Sequence, residues 1–254
     1  MENSTIDLIH RHASARHFKP DKVTVEQVES IVSAAQSAST SSNLQAYSVV
    51  AVTDQARREK LAFLCGDQAF IKEAPVFLAW CADLARLERV CELRGQRQVT
   101  DLVENFLVAA VDAALAAENA ALAAESLGLG ICFVGAIRNN PAEVIDLLEL
   151  PRLTFPITGM SIGWKAREPR LRPRLPIRAI LHWEAYRPDH DPELYAYDQA
   201  MLKTGIYKGR QVPAPGKPEV VEDYGWLEHT ARRVARADRA GLRAVLEKQG
   251  FGLK

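Results

Sequence analysis

Apolar residues recur along the first part of the chain with the spacing of amphipathic helices. Thr24 begins one of them, since Gln27 stands where its side chain can complete a capping box. One apolar face then follows, made of Val25, Val28, Ile31, Val32 and Ala35. Similar signals predict a helix from Ser4 to about Arg11, a helix capped by Asp54, and a helix with Asn140 as N-cap and Pro141 at its first position.

The strongest helical signal runs from about Asp101 to Leu127 and is rich in alanine. Such a helix would be about 40 Å long. Four polar residues interrupt it, and they argue against a membrane span: Asp112, Glu118, Asn119 and Glu125. A helix that is apolar nearly all round is expected to be buried, either in the core or at a subunit interface, because alanines let another helix approach closely. The sequence Gly128-Leu129-Gly130 marks its end.

Short apolar runs between these helices predict the strands of a mixed sheet. The candidates are Ser48–Thr53, Val76–Cys81, Ile131–Val134, Pro156–Ile162 and Ala179–Ala185. Strands separated by helices indicate a layered α/β or α+β protein. From about Arg187 the pattern weakens: residues 211–218 read as an extended loop and roughly 227–249 as a basic helix. We expect an extension here rather than an independent domain.

Charge and cysteine content remove several classes of function. Lys plus Arg equal Asp plus Glu at 32 each, so no net field favours nucleic acid or a membrane surface. The four cysteines form no CxxC pair, which predicts small buried side chains rather than a zinc site. The first residues contain neither a basic nor an apolar leader region, so we expect a cytoplasmic protein.

The sequence contains no P-loop, no GxSxG, no HExxH and no GxGxxG after a strand, which favours chemistry done by a cofactor. His12, Ser14 and Arg16 alternate, so an extended segment would project all three to one side. They could bind a phosphate, with the guanidinium holding two of its oxygens. A solvated basic loop is the alternative.

Two further segments combine polar chemistry with restricted backbone. Residues 37–45, Ser-Ala-Ser-Thr-Ser-Ser-Asn-Leu-Gln, form a serine-rich turn whose hydroxyl and N–H groups could bind a ribityl chain or a flavin edge; a helix end with a capping role is the alternative. Pro173 separates Arg172 from Arg174 and stiffens the segment, so that both guanidiniums could bind one phosphate. A structural linker is the alternative there.

The order of several motifs resembles the nitroreductase superfamily, in its NADPH-dependent, oxygen-insensitive nitroreductase and flavin reductase group. The motifs are His12-x-Ser14-x-Arg16, the serine-rich turn, Glu125-Ser126-Leu127-Gly128-Leu129-Gly130, Gly135-Ala136-Ile137-Arg138-Asn139-Asn140 and Pro173-Arg174-Leu175-Pro176. The resemblance covers about residues 4–200. It implies an α+β, three-layer fold with a mixed, mainly antiparallel sheet. It also implies a domain at 1–200 and an extension at 201–254 that packs on the dimer.

The resemblance implies FMN bound between the two subunits of a homodimer, with NADPH as electron donor. Its phosphate and ribityl chain would lie among His12, Ala13, Ser14, Ala15, Arg16, Arg172 and Arg174. The flavin would be contacted by Thr40, Ser41 and Ser42 of the partner's serine-rich turn and, within the chain, by Gln68, Phe133, Val134, Gly135 and Ala136. Lys208, with Arg210 second, would meet the 2′-phosphate of NADPH. Ala13 and Ala136 depart from the Arg and Gly that relatives often carry; the first would weaken anion binding and the second tighten the pocket.

No catalytic side chain is assigned, since in this group the flavin takes hydride from the nicotinamide and reduces a second substrate in ping-pong order. The expected substrates are nitroaromatics, quinones or free flavin. The alternative is a flavin-binding or sensory module without physiological turnover. A metal protein using His10, His12 and His17 is disfavoured, because no carboxylate or cysteine lies near them in sequence.

Overall fold

The computed structural model describes residues 4–254 of the chain. Its elements in chain order are α1 (Ser4–His10), α2 (Val25–Ala35), β1 (Tyr47–Val52), α3 (Gln55–Leu64), α4 (Ala69–Glu73), β2 (Val76–Asp83), α5 (Ala85–Leu93), α6 (Val103–Ser126), β3 (Gly130–Val134), α7 (Pro141–Leu147), β4 (Thr154–Gly163), α8 (Asp191–Lys203), β5 (Gln211–Ala214), β6 (Lys217–Asp223), α9 (Trp226–Val234) and α10 (Leu242–Lys248). The chain forms two compact units. Among the described residues, unit 1 comprises 4–169 and 239–254, and unit 2 comprises 170–238.

Unit 1 is built on a four-stranded sheet in the order β1-β2-β4-β3, and all three strand pairs are antiparallel. Successive residues of β2 point to opposite faces. Leu78 and Trp80 belong to a core cluster with α2 and α6, whereas Phe77 and Ala79 belong to a second cluster with α3, α4 and α7. Helices therefore cover both faces, and the three-layer α+β fold with a mainly antiparallel sheet is confirmed.

One glycine lets the central strands pack closely. A Cβ built on Gly159 of β4 would lie 2.2 Å from Cζ of Phe77, which is fully buried. Atoms cannot approach that closely, so any side chain at this position would displace the ring. The small residue is needed where the aromatic ring of β2 crosses its neighbouring strand.

The long alanine-rich helix α6 is present as expected, and its alanines face the core. The fully or nearly fully buried residues of one side are Ala109, Ala113, Ala116, Ala117, Ala120, Ala121 and Ala124. By length and composition alone α6 could cross a membrane, so the argument that its polar residues exclude this was wrong. The core helix of a globular protein meets the same criteria, and this helix packs against α2 and the sheet.

The three helix starts predicted from capping residues are present, and two of them have the expected side-chain hydrogen bond. Thr24 and Gln27 form the reciprocal capping box, and the Asp54 carboxylate accepts from the Arg57 N–H at 2.8 Å. Asn140 is the N-cap residue of α7 and Pro141 its first residue, as predicted, although the Asn140 side chain makes no capping bond. Its amide instead donates to the Leu64 carbonyl oxygen at 2.7 Å, tying α7 to the end of α3.

The chain after residue 169 departs from the sequence expectations at three points. Residues 179–185 form no strand: a 3-10 turn covers Ile177–Ala179, and Glu184 has a left-handed φ of 63° that a strand does not allow. The expected loop at 211–218 instead begins a hairpin of β5 and β6, with Gly216 at φ 71° in its turn. The expected basic helix is interrupted between α9 and α10, where Arg239 has φ 58°.

Candidate functional site

The segment from His12 to Phe18 is bound to β3 and to the residues that follow β4 in unit 1. The Ala15 N–H donates to the Ile131 carbonyl oxygen at 2.8 Å, and Phe18 forms a β-bridge with Lys165. Ala15 is buried, and a Cβ built on Gly130 would lie only 2.7 Å from the Cβ of Ala15. Gly130 therefore makes room for this segment. Ala13 and Ser14 remain half-buried and Arg16 exposed.

His12 and Arg16 differ in their charged surroundings. The Nδ1 atom of His12 lies 2.8 Å from Oε1 of Glu125 on α6. A carboxylate can only accept, so Nδ1 carries the proton and Nε2 remains for another partner. Arg16 has no carboxylate partner among the described residues; its guanidinium lies 6.0 Å from the centroid of the Phe70 ring. An exposed guanidinium stacked on an aromatic ring is suited to bind an anion.

The serine-rich turn of unit 1 has an unusual backbone. Ser42, Asn43 and Gln45 all have left-handed φ angles, of 48°, 57° and 52°. Such angles are uncommon in residues other than glycine and are found often at ligand clamps. The Thr40 side chain makes no capping bond, and Ser41 and Ser42 are exposed. The turn thus presents hydroxyl groups to the surface.

The carboxyl end of β3 leads into a 3-10 turn over Gly135–Arg138. The first N–H groups of a helical turn have no acceptor inside that turn, so Gly135 and Ala136 can offer donors. Val134 before them is buried, and Phe133 is half-buried. Gln68, just before α4, donates from Nε2 to the Cys65 carbonyl oxygen at 2.8 Å, which leaves its side-chain oxygen to accept.

Two arginines beside this turn were missed by the sequence reading. Arg138 donates from Nη1 to the Ile157 carbonyl oxygen, and Arg239 donates from Nε to Oδ1 of Asn139 at 3.0 Å. Burial lowers the pKa of Arg138, and the nearby charge of Arg239 lowers it further. Neither has a carboxylate partner among the described residues. The motif around Arg138 was recognised, but Arg239 comes from a distant part of the chain and carries no local signal.

The predicted residues of unit 2 are exposed. Arg172 and Arg174 are exposed on either side of Pro173, whose carbonyl oxygen accepts from the Tyr197 hydroxyl at 3.2 Å and so ties the segment to α8. Neither arginine has a carboxylate partner in the part of the chain that the structure describes. Lys208 and Arg210 follow α8, and the Arg210 guanidinium lies 5.8 Å from the centroid of the Tyr224 ring.

Three of the four cysteines, Cys65, Cys81 and Cys132, are buried as small core residues, whereas Cys91 on α5 is only half-buried, contrary to expectation. Burial raises the pKa of Cys65 and of Cys81 to about 12, so both thiols stay protonated near neutral pH. Within residues 4–254 no group of three or more His, Cys, Asp or Glu side chains is placed to hold a metal ion. The polar groups available to a ligand are instead unpaired guanidiniums, exposed hydroxyls and free N–H donors. That donor set fits a phosphate together with the polar edge of a flavin.

Comparison with known proteins identifies the family of the chain. The model of the nitroreductase family matches residues 9–164, and that of the nitroreductase family C-terminal domain matches 172–254. The chain is 36% identical to the oxygen-insensitive NADPH nitroreductase of Salmonella typhimurium over 98% of this chain and 99% of the relative. It is 38% identical to an FMN reductase (NAD(P)H) of Bacillus subtilis, over 98% of each.

Among solved structures, NfrA2 of B. megaterium matches with a TM-score of 0.92 and 36% identity, over 100% of both chains. The family models and the full-length relatives place the chain among the flavin-dependent oxidoreductases. The chain belongs to the nitroreductase family.

Proposed function

We propose that this protein is an FMN-dependent oxidoreductase that passes electrons from NADPH to nitroaromatics, quinones or free flavin. The observation that carries the proposal is the unpaired Arg16 guanidinium on a segment fixed against the sheet. Family membership and relatives named as NADPH nitroreductase and FMN reductase support the same reading. An anion site without a dinucleotide fingerprint favours FMN over FAD.

The protein's own residues bind and orient, and we assign no catalytic side chain. When bound, FMN supplies an acceptor for hydride and a donor for the second substrate. His12, Ser14 and Arg16 would hold the phosphate, and Glu125 fixes the His12 tautomer. Gly135 and Ala136 offer N–H donors to the ring. Arg138 and Arg239 provide positive charge at which an electron-poor or anionic acceptor can dock.

We also propose a homodimer, on the basis of an apolar surface of α6. Along one side of this helix Val103, Leu107, Val111 and Leu115 are exposed by 42%, 50%, 53% and 44%. Their spacing of four residues places them on one face, opposite the buried alanines. A helix apolar on both faces needs a second protein surface to cover it. We further propose that the chain divides at residue 200 and that residues 201–254 pack on the dimer. We also propose a cytoplasmic location.

Turnover with NADPH and a quinone acceptor tests the function directly. We expect steady NADPH oxidation, with parallel lines in double-reciprocal plots as the ping-pong order requires, and a higher kcat/KM with NADPH than with NADH. Lys208→Ala should raise KM for NADPH by roughly tenfold, because a charge-assisted bond to the 2′-phosphate is worth about 1.5–3 kcal/mol. It should leave NADH kinetics unchanged.

Arg210→Ala tests the second candidate for the 2′-phosphate, whose guanidinium lies 5.8 Å from the centroid of the Tyr224 ring. The variant with the larger rise in KM for NADPH identifies the residue that binds this phosphate. Equal efficiency with both nucleotides in the wild type would remove the assignment of Lys208. A protein that binds FMN but oxidises no NADPH with any acceptor would favour the flavin-binding or sensory module instead.

A further inference from the structure

The serine-rich turn is tied to the rest of unit 1 by a carboxylate that the sequence shows only as an interruption of α6. Asp112 is 1% exposed and lies between buried alanines of that helix. Its Oδ1 accepts from the Ser41 N–H at 3.0 Å, and its Oδ2 accepts from the Ala46 N–H at 3.0 Å. A buried carboxylate is costly unless its oxygens are hydrogen-bonded, and both oxygens here are used to hold the turn.

A second charged side chain holds the same turn through its carbonyl groups. Arg86 of α5 donates from Nη2 to the carbonyl oxygens of Gln45 at 2.7 Å and Tyr47 at 2.6 Å. The Asp83 N–H also donates to the Ala46 carbonyl oxygen at 2.9 Å. Three groups from β2, α5 and α6 therefore bind the backbone at the end of the turn.

The backbone held by Asp112 and Arg86 also contains residues in the left-handed conformation. Ser42, Asn43 and Gln45, with their left-handed φ angles, all lie within residues 41–46, between the two N–H groups bound by Asp112. Residues persist in such conformations where the surrounding structure over-determines them. Burial raises the pKa of Tyr47, which borders the turn; the charge of Arg86 opposes that change and the charge of Asp112 adds to it, as expected if both act here.

We propose that Asp112 and Arg86 are positioning residues that set the conformation in which the serine-rich turn meets the flavin. This inference rests on the proposed function, because the turn's contact with FMN belongs to it. Neither residue touches the cofactor in this account. Asp112 is next to Val111 on α6, the helix whose exposed face we assign to the subunit interface. The hydrogen bonds of Asp112, which together with those of Arg86 we call the clamp, therefore also link that helix to the serine-rich turn.

The test is the affinity and environment of FMN in Asp112→Asn. The asparagine oxygen can still accept one hydrogen bond, but the NH2 group then faces the other backbone N–H, and two donors cannot bond to each other. We expect the Kd for FMN to rise tenfold or more and the visible circular dichroism of the bound flavin to change. Asp112→Glu, which restores a carboxylate, should recover part of the affinity. A role in stability alone would lower the unfolding temperature without altering the flavin spectrum.

Val144→Ala is the matched control, because Val144 is fully buried in the core on the opposite face of the sheet. It should lower the unfolding temperature and leave the Kd for FMN unchanged. If Asp112→Asn does not fold, Arg86→Met tests the same proposal. Arg86 is exposed, so the variant should fold, and the loss of its two hydrogen bonds should still weaken FMN binding severalfold. Wild-type affinity in a folded Asp112→Asn, or in Arg86→Met, overturns the clamp but not the function. A wild-type protein that binds no FMN overturns both.

Discussion

Leu115→Glu is expected to separate the subunits and to release the flavin. Leu115 lies on the exposed apolar side of α6. Burying a carboxylate in place of a leucine loses at least about 1.5 kcal/mol of apolar burial, before the cost of the unpaired charge. A two-fold dimer contains the change twice, so the dimer should weaken by more than about a hundredfold. Sedimentation and flavin absorbance on one sample measure both effects.

A charge placed on a buried alanine of α6 would not test for a dimer. Ala113 lies near the middle of α6 but is fully buried in the core of unit 1, so Ala113→Glu would unfold a single chain whether or not a dimer exists. Phe63→Glu is the proper control, because Phe63 is 73% exposed on α3 and should tolerate the charge. A wild-type monomer that retains FMN in sedimentation would contradict the dimer and the partner contacts of Thr40, Ser41 and Ser42.

Arg16→Ala and Arg174→Ala should each weaken FMN binding by roughly tenfold to a hundredfold. The physical reason is the loss of one charge-assisted hydrogen bond to the phosphate, worth about 1.5–3 kcal/mol. Neither arginine has a carboxylate partner among the described residues, so no internal ion pair is lost with it. Lysine at either position should rescue only part of the affinity, because it lacks the two-pronged guanidinium geometry. Fluorescence titration of FMN gives the four dissociation constants.

Arg89→Ala provides the comparison for both variants. Arg89 is an exposed arginine of α5 whose charge is paired with Glu92 at 2.7 Å, and its removal should leave FMN affinity unchanged. Full affinity in both Arg16→Ala and Arg174→Ala would show that the phosphate is bound elsewhere.

Local chemistry predicted the four strands of unit 1 and several of its helices, but not α4 or α5. Capping at Thr24 and Asp54 and the apolar run of β2 depend on neighbours within a few residues, which a sequence displays directly. The failures in unit 2 have equally physical causes. The run at 179–185 is apolar enough for a strand, yet Glu184 adopts a left-handed turn. The Pro- and Gly-rich stretch after Gln211 supplied the turn of a hairpin rather than an open loop.

The candidate site was harder to predict where it depends on distant partners. Asp112 binds N–H groups 71 and 66 residues away, so sequence spacing showed only a polar residue in an apolar helix. Arg239 reaches Asn139 across 100 residues, and nothing near it signals that role. The motif at His12, Ser14 and Arg16 was visible because its alternation is local, whereas the carboxylate that orients His12 comes from α6.

Release of the bound cofactor from the purified protein tests the central claim most directly. The protein should be yellow, and heat or acid denaturation should release FMN in about one equivalent per chain, identified by chromatography against FMN and FAD standards. The basis is the proposed phosphate site at Arg16, in a sequence without a fingerprint for a second phosphate and adenosine. A colourless protein that cannot be reconstituted with FMN, or one that releases FAD, would contradict the account.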